Sequence, residues 1–175
     1  MSDFKITQDK FPLIAEKLGV EEDELKKFLP SFNKFYKKVS LQHLAHLMRA
    51  MELYVREETN NPTFRIVWCN MSGQNVTSAV SFKWKDKYGI VIPAELEENL
   101  KDLRAHVAHE LGHLFYSIQR PENEDKKTHQ DMANIFGVFA MLERNYFYQE
   151  KAPKIKHNTS EEVIDDFVKF VPKRG

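Results

Sequence analysis

The sequence predicts an α+β fold in which an N-terminal helical region packs on a core of a small antiparallel sheet and two long helices. Three observations carry this. Apolar residues recur at helical spacing before residue 60 and after residue 100. Between Phe64 and Pro93 the pattern changes to β-branched and aromatic runs broken by turn residues. Finally, 175 residues with 42% hydrophobic and 30% charged content suffice for one substantial core. The expected organisation is an N-terminal helical region over 1–60, a core carrying the chemistry over 61–150, and a linker with a C-terminal helix over 151–175.

In the first segment, Phe11, Ile14, Ala15 and Leu18 share a helical face, Gly19 interrupts, and Leu25, Phe28 and Leu29 resume. Two short helices follow from this, with the look of half a helix-turn-helix. The second opens on Glu21-Glu22-Asp23-Glu24, however, which would present like charge to phosphates, so a packing hairpin is expected instead of a DNA reader. Lys34, Lys37 and Lys38 interleave with Phe32, Phe35 and Tyr36, a pattern that reads as a half-buried helix face. Leu41, Leu44, Ala45, Met48, Met51 and Val55 then form the stripe of a longer helix with Ser40 as N-cap. His43 and His46 on that helix read as surface or core histidines.

Three strands are expected at residues 64–69, 76–84 and 88–93, separated by Ser72-Gly73 and Lys85-Asp86-Lys87 and closed by Pro93. After a charged loop at 121–128, a second long helix carries Ala133, Gly137 and Ala140. Ser160 is placed to cap a last short helix with Val163, Ile164, Phe167, Val168 and Phe170 on its apolar side.

Equal numbers of basic and acidic residues, 26 of each, leave no global charge to attract nucleic acid or an anionic membrane. A protein or peptide partner is expected, with no membrane and no direct nucleic-acid contact. A single cysteine, Cys69, excludes an internal disulfide. The start Met1-Ser2-Asp3-Phe4-Lys5 has no apolar stretch of a signal peptide, and the expectation is a cytoplasmic protein. The N-glycosylation triplets at Asn70, Asn75 and Asn158 then carry no meaning.

The strongest signal is His109-Glu110-Leu111-Gly112-His113, set in the apolar periodicity of Leu103, Val107, Ala108, Leu114, Phe115 and Ile118. Residues four apart on a helix are neighbours, so two imidazoles can meet one zinc ion at about 2.0–2.1 Å. Glu110 then stands beside the water that the ion acidifies and serves as its base. Gly112 leaves a small surface for close packing. His106 lies roughly 10 Å along the axis from His113, too far to share the ion. Tyr116 and Tyr146 are candidates to donate a phenol to the oxyanion of a hydrolytic transition state.

With Tyr88-Gly89-Ile90-Val91-Ile92, then Leu103 through Leu114, then Ala133-Asn134-Ile135-Phe136 through Leu142, the chain resembles the ImmA/IrrE family of zinc metallopeptidases. The resemblance implies a zincin-like core, two histidine ligands on one helix, a glutamate ligand on the next, and limited proteolysis of a transcriptional regulator. One residue departs from that pattern: Gln130 stands where the family carries its ligand glutamate. On a helix that turns Ala133, Gly137 and Ala140 toward the motif, His129 and Gln130 lie about 50° to either side of the facing line and Asp131 about 150° away. Imidazole is the better zinc ligand and favours His129; the family register favours Gln130. The expected centre is therefore zinc on His109, His113 and His129, with Gln130 as the alternative third ligand and Glu110 as the catalytic base. The neutral residue at position 130 also motivates a rival expectation, a protein that keeps the fold as a regulatory binding partner or scaffold without cleaving.

Overall fold

A computed structural model describes residues 5–36, 44–71, 80–84, 86–93, 100–123, 125–151 and 159–170. Within these the chain is a mixed α+β protein. A 3-10 turn at Gln8–Lys10 leads into α1 (Phe11–Leu18), followed by α2 (Glu22–Tyr36) and α3 (Leu44–Thr59). Next come β1 (Arg65–Met71), β2 (Val80–Trp84) and β3 (Lys87–Pro93), then α4 (Leu100–Gln119), α5 (Lys126–Lys151) and α6 (Ser160–Phe170).

Gly19 ends α1 because it adopts the left-handed conformation, φ 72°, and its N–H closes on the Ala15 carbonyl at 2.9 Å. Asn60, at φ 52°, ends α3 in the same way. The acidic residues Glu22, Asp23 and Glu24 occupy the first turn of α2, where they complement the positive end of the helix dipole. Helix α2 runs on through Pro30. An interior proline costs roughly 3 kcal/mol, but Leu25, Phe28, Phe32 and Phe35 are buried on both sides of it along one face. That burial keeps the helix whole. Ser40 and Leu41, the expected cap and first stripe residue of α3, lie outside the described residues, as does His43.

The sheet differs from the antiparallel one expected. Its order is β1-β3-β2, with β2 antiparallel and β1 parallel to β3. A tight hairpin around Asp86 dictates the antiparallel pair, since Trp84 faces Lys87. The parallel pair is set by packing, because no local turn links β1 to β3. The Glu52 carboxylate on α3 accepts the Ile66 N–H at 2.9 Å, while Arg56 donates to the Phe64 carbonyl at 2.8 Å and reaches Glu52 at 3.1 Å. These contacts tie α3 to the outer side of β1 and occupy part of an exposed strand edge.

One apolar core joins all three helical regions to the sheet. Its centre is an aromatic cluster in which Phe28, Phe32 and Phe35 of α2 meet Phe115 of α4 and Phe136 and Phe139 of α5 at ring separations of 5.5–5.9 Å. The basic-aromatic run is thus a core face with Lys34 outside it. Thr159, not Ser160, caps α6 through its Oγ1 on the Glu162 N–H at 3.2 Å, and Ser160 is buried. Val163, Ile164 and Phe167 of α6 are in the same core, and Lys17 pairs with Asp165 at 3.0 Å. The C-terminal helix therefore docks on the core. No helix among the described residues is long and apolar enough to cross a membrane.

The Phe167 ring presses on Gly137 of α5, where an added Cβ would come within 2.3 Å of it. Replacing Phe167 with alanine should cost about 3–5 kcal/mol of unfolding free energy, measured by urea denaturation. A cost under 1 kcal/mol would mean that α6 is an appendage instead of part of the core.

Candidate metal centre

Between Ala105 and Tyr116, helix α4 is buried nearly all round. Ala105, Val107, Ala108, Leu111, Leu114 and Phe115 are in the core, and so are three polar residues, His106, His109 and Glu110. Burying polar groups costs free energy unless each finds a partner, and the partners here explain how the site is built.

The neighbouring helix α5 starts where Asp125 caps it. The Asp125 carboxylate accepts the Thr128 N–H at 3.0 Å and the Thr128 hydroxyl at 2.5 Å, bonds that hold its pKa below the usual carboxylate range. This start lies ahead of Thr128, so both His129 and Gln130 belong to the first turns of α5. Further along, α4 and α5 touch backbone to backbone. A Cβ on Gly112 would sit 2.7 Å from the Ala133 carbonyl oxygen and 2.8 Å from its Cα, a distance no side chain tolerates.

That crossing sets Asn134 against His109. The Asn134 Oδ1 lies 2.8 Å from His109 Nδ1, and an amide oxygen can only accept, so Nδ1 carries the proton and Nε2 keeps its lone pair. His113, one turn on, brings its Nε2 to 3.1 Å from His109 Nε2, with the rings at 89°. Two nitrogens bound to one tetrahedral zinc at about 2.0–2.1 Å would stand about 3.3 Å apart. The pair fits the ion. Burial, then the neighbouring His113, pushes His109 down to about 3; burial, then His129, pushes His113 down to about 4. Both imidazoles are therefore neutral near pH 7, the form that ligates metals.

The Gln130 side chain is within hydrogen-bonding reach of both imidazoles and favours their protonated forms, while its buried Oε1 meets no donor at good hydrogen-bond geometry. His129 is engaged elsewhere: its Nε2 donates to the Asn123 carbonyl at 2.6 Å and its ring packs edge-on against Tyr116 at 4.9 Å. The ring centroid is 6.2 Å from that of His113. Among the described residues no three His, Cys, Asp or Glu side chains form a metal-binding group, so the expected three-histidine centre is not assembled. Both residues lie near the facing line of a helical wheel, and the Asn123 carbonyl, which no helical period encodes, draws His129 away.

Tyr116 uses its phenol oxygen to accept from Asn123 Nδ2 at 2.7 Å. The Tyr146 side chain lies outside the described ones. Two further residues shape the centre without a chemical motif to mark them. Asn134 orients His109; its only signal was the Ala-Asn-x-Phe run. Tyr88, buried on β3, donates its phenol to the Glu110 backbone carbonyl at 3.1 Å and ties the sheet to the motif helix.

Two outcomes follow. Gly112→Ala should destabilise the protein by about 1–3 kcal/mol and perturb both histidine ring signals in NMR spectra, because α4 and α5 must separate; an unchanged melting temperature and spectrum would disprove the close crossing. The metal-free protein should also lose stability as pH falls from about 6.5 toward 4, since the unfolded chain takes up protons that the buried pair refuses. Urea midpoints read between pH 7 and 5 test this, and a flat profile would contradict it.

No family model, curated protein or solved structure matches the chain, so the meaning of the centre rests on its own geometry and chemistry.

Proposed function

We propose that the protein is a zinc-dependent metallopeptidase of the kind its resemblance to the ImmA/IrrE family implies, acting on a protein substrate of the transcriptional-regulator class. The observation that carries this reading is the pair of imidazoles whose Nε2 atoms converge at 3.1 Å, one of them locked in the ligating tautomer by Asn134. His109 and His113 would hold the zinc. When bound, zinc acidifies a water and polarises the scissile carbonyl.

The remaining work falls to the chain. Glu110, between the two histidines on a buried turn, takes the proton from the attacking water and returns it to the leaving nitrogen. Its own backbone carbonyl is held by Tyr88, which keeps the turn in register with the sheet. An extended substrate cannot pair with β3, which is central and paired on both sides. The β2 edge is the better candidate, since Glu52 already occupies the Ile66 N–H on β1.

A second reading is favoured by one feature. No carboxylate joins the two histidines in a three-residue group among the described residues, which suits a regulatory binding or scaffold protein that retains the fold without cleaving.

Protein purified without chelators should carry about one zinc per chain by elemental analysis, and His113→Ala should abolish it because the chelate is lost. Mass spectrometry of peptide-library digests should show zinc-dependent cleavage by the wild type and at least a 100-fold loss in Glu110→Gln, which keeps its zinc. Cleavage that survives Glu110→Gln would refute the mechanism. Zinc binding with no cleavage by the wild type would decide for the scaffold.

A further inference from the structure

Two histidines alone leave a zinc ion short of protein donors, and the atom best placed to join them is on α5. We propose that Gln130 Oε1 is the third donor to the metal, and that this neutral amide makes the bound zinc readily exchangeable. The inference rests on the zinc reading of His109 and His113 and extends it to how tightly the ion is held.

Three acceptors meet at this point. His109 Nε2 keeps a lone pair because its proton is on Nδ1, facing Asn134. His113 Nε2 lies 3.1 Å away. The Gln130 side chain is within hydrogen-bonding reach of both rings, and its Oε1 is shielded from solvent and meets no donor at good hydrogen-bond geometry. A proton shared between the two nitrogens satisfies the pair and leaves Oε1 unanswered, whereas a cation satisfies all three. A buried carbonyl oxygen without a donor is costly, and orphaned atoms of this kind mark places where an ion belongs.

Competing donors are otherwise occupied or excluded. His129 Nε2 is bound to the Asn123 carbonyl, and Asn134 is spent on His109 Nδ1. No group of three His, Cys, Asp or Glu forms among the described residues, so Asp131 does not complete the site with the pair either. The Asp125 cap fixes the first turn of α5 and with it the position of Gln130. An amide oxygen offers zinc a lone pair without the negative charge of a carboxylate, so it binds the ion more weakly and releases it faster.

The full-length protein, stripped of metal, is titrated with Zn2+ against a chromophoric chelator and separately with Co2+ to read its visible spectrum. Gln130→Ala should weaken zinc binding by at least about tenfold and shift the Co2+ bands. Gln130→Glu should tighten it about 10–100-fold and slow zinc transfer to the chelator correspondingly. His129→Ala should leave affinity within about twofold of wild type and the Co2+ bands in place. Matching melting curves of the stripped variants separate ligand loss from misfolding. Loss of affinity in His129→Ala but not in Gln130→Ala overturns the proposal while the zinc reading stands, as does a Gln130→Glu protein with unchanged affinity and release. A wild type that binds no zinc, like His113→Ala, overturns both.

Discussion

The backbone contact between Gly112 and Ala133 is the constraint on which the centre depends. With any side chain at 112, α4 and α5 would be pushed apart by more than the slack in a 2.8 Å hydrogen bond, and Asn134 would lose His109. Because α5 is capped at Asp125, the same approach also sets how close Gln130 comes to the imidazoles. Gly137 repeats the device one turn further along the same face of α5, where it admits the Phe167 ring and lies 3.5 Å, measured from an added Cβ, from the His109 backbone nitrogen. Two glycines thus allow three helices to close on one turn of α4.

Such closeness buries His109, Glu110 and Asn134 almost completely. Polar groups persist there only because the scaffold is held by other means. The aromatic cluster of Phe28, Phe32, Phe35, Phe115, Phe136 and Phe139 buries large apolar area and fixes α2, α4 and α5 relative to one another. Burial in turn keeps the two imidazoles neutral and ready to ligate, so the packing that stabilises the fold also tunes the site.

The small sheet contributes position more than stability. Its central strand places the Tyr88 phenol on the Glu110 carbonyl, and its outer strand β1 is braced by Glu52 and Arg56 of α3. The N-terminal helices therefore serve the site twice, through the aromatic core and through the sheet. The acidic start of α2 fits that packing role, since Glu22, Asp23 and Glu24 complement the positive end of its helix dipole.

What the sequence determined by itself is what depends on neighbours along the chain. The helix over 100–119, the turn at Gly19 and the pairing of His109 with His113 follow from spacing of three and four residues, and the hairpin before β3 from its turn chemistry. The need for a small residue at 112 was legible too. Only the tertiary structure decided what meets across elements. The parallel placement of β1 beside β3 has no local code, because side-chain alternation is the same in either direction. The continuation of α2 through Pro30 required the buried phenylalanines on both sides of it. His129 and Gln130 were equivalent on a helical wheel, and they were separated by a loop carbonyl at Asn123 and by an amide oxygen left without a hydrogen bond between two histidines. Helical periodicity specifies direction to within tens of degrees, whereas metal ligation requires tenths of an ångström, and that difference is supplied by the contacts of a closed core.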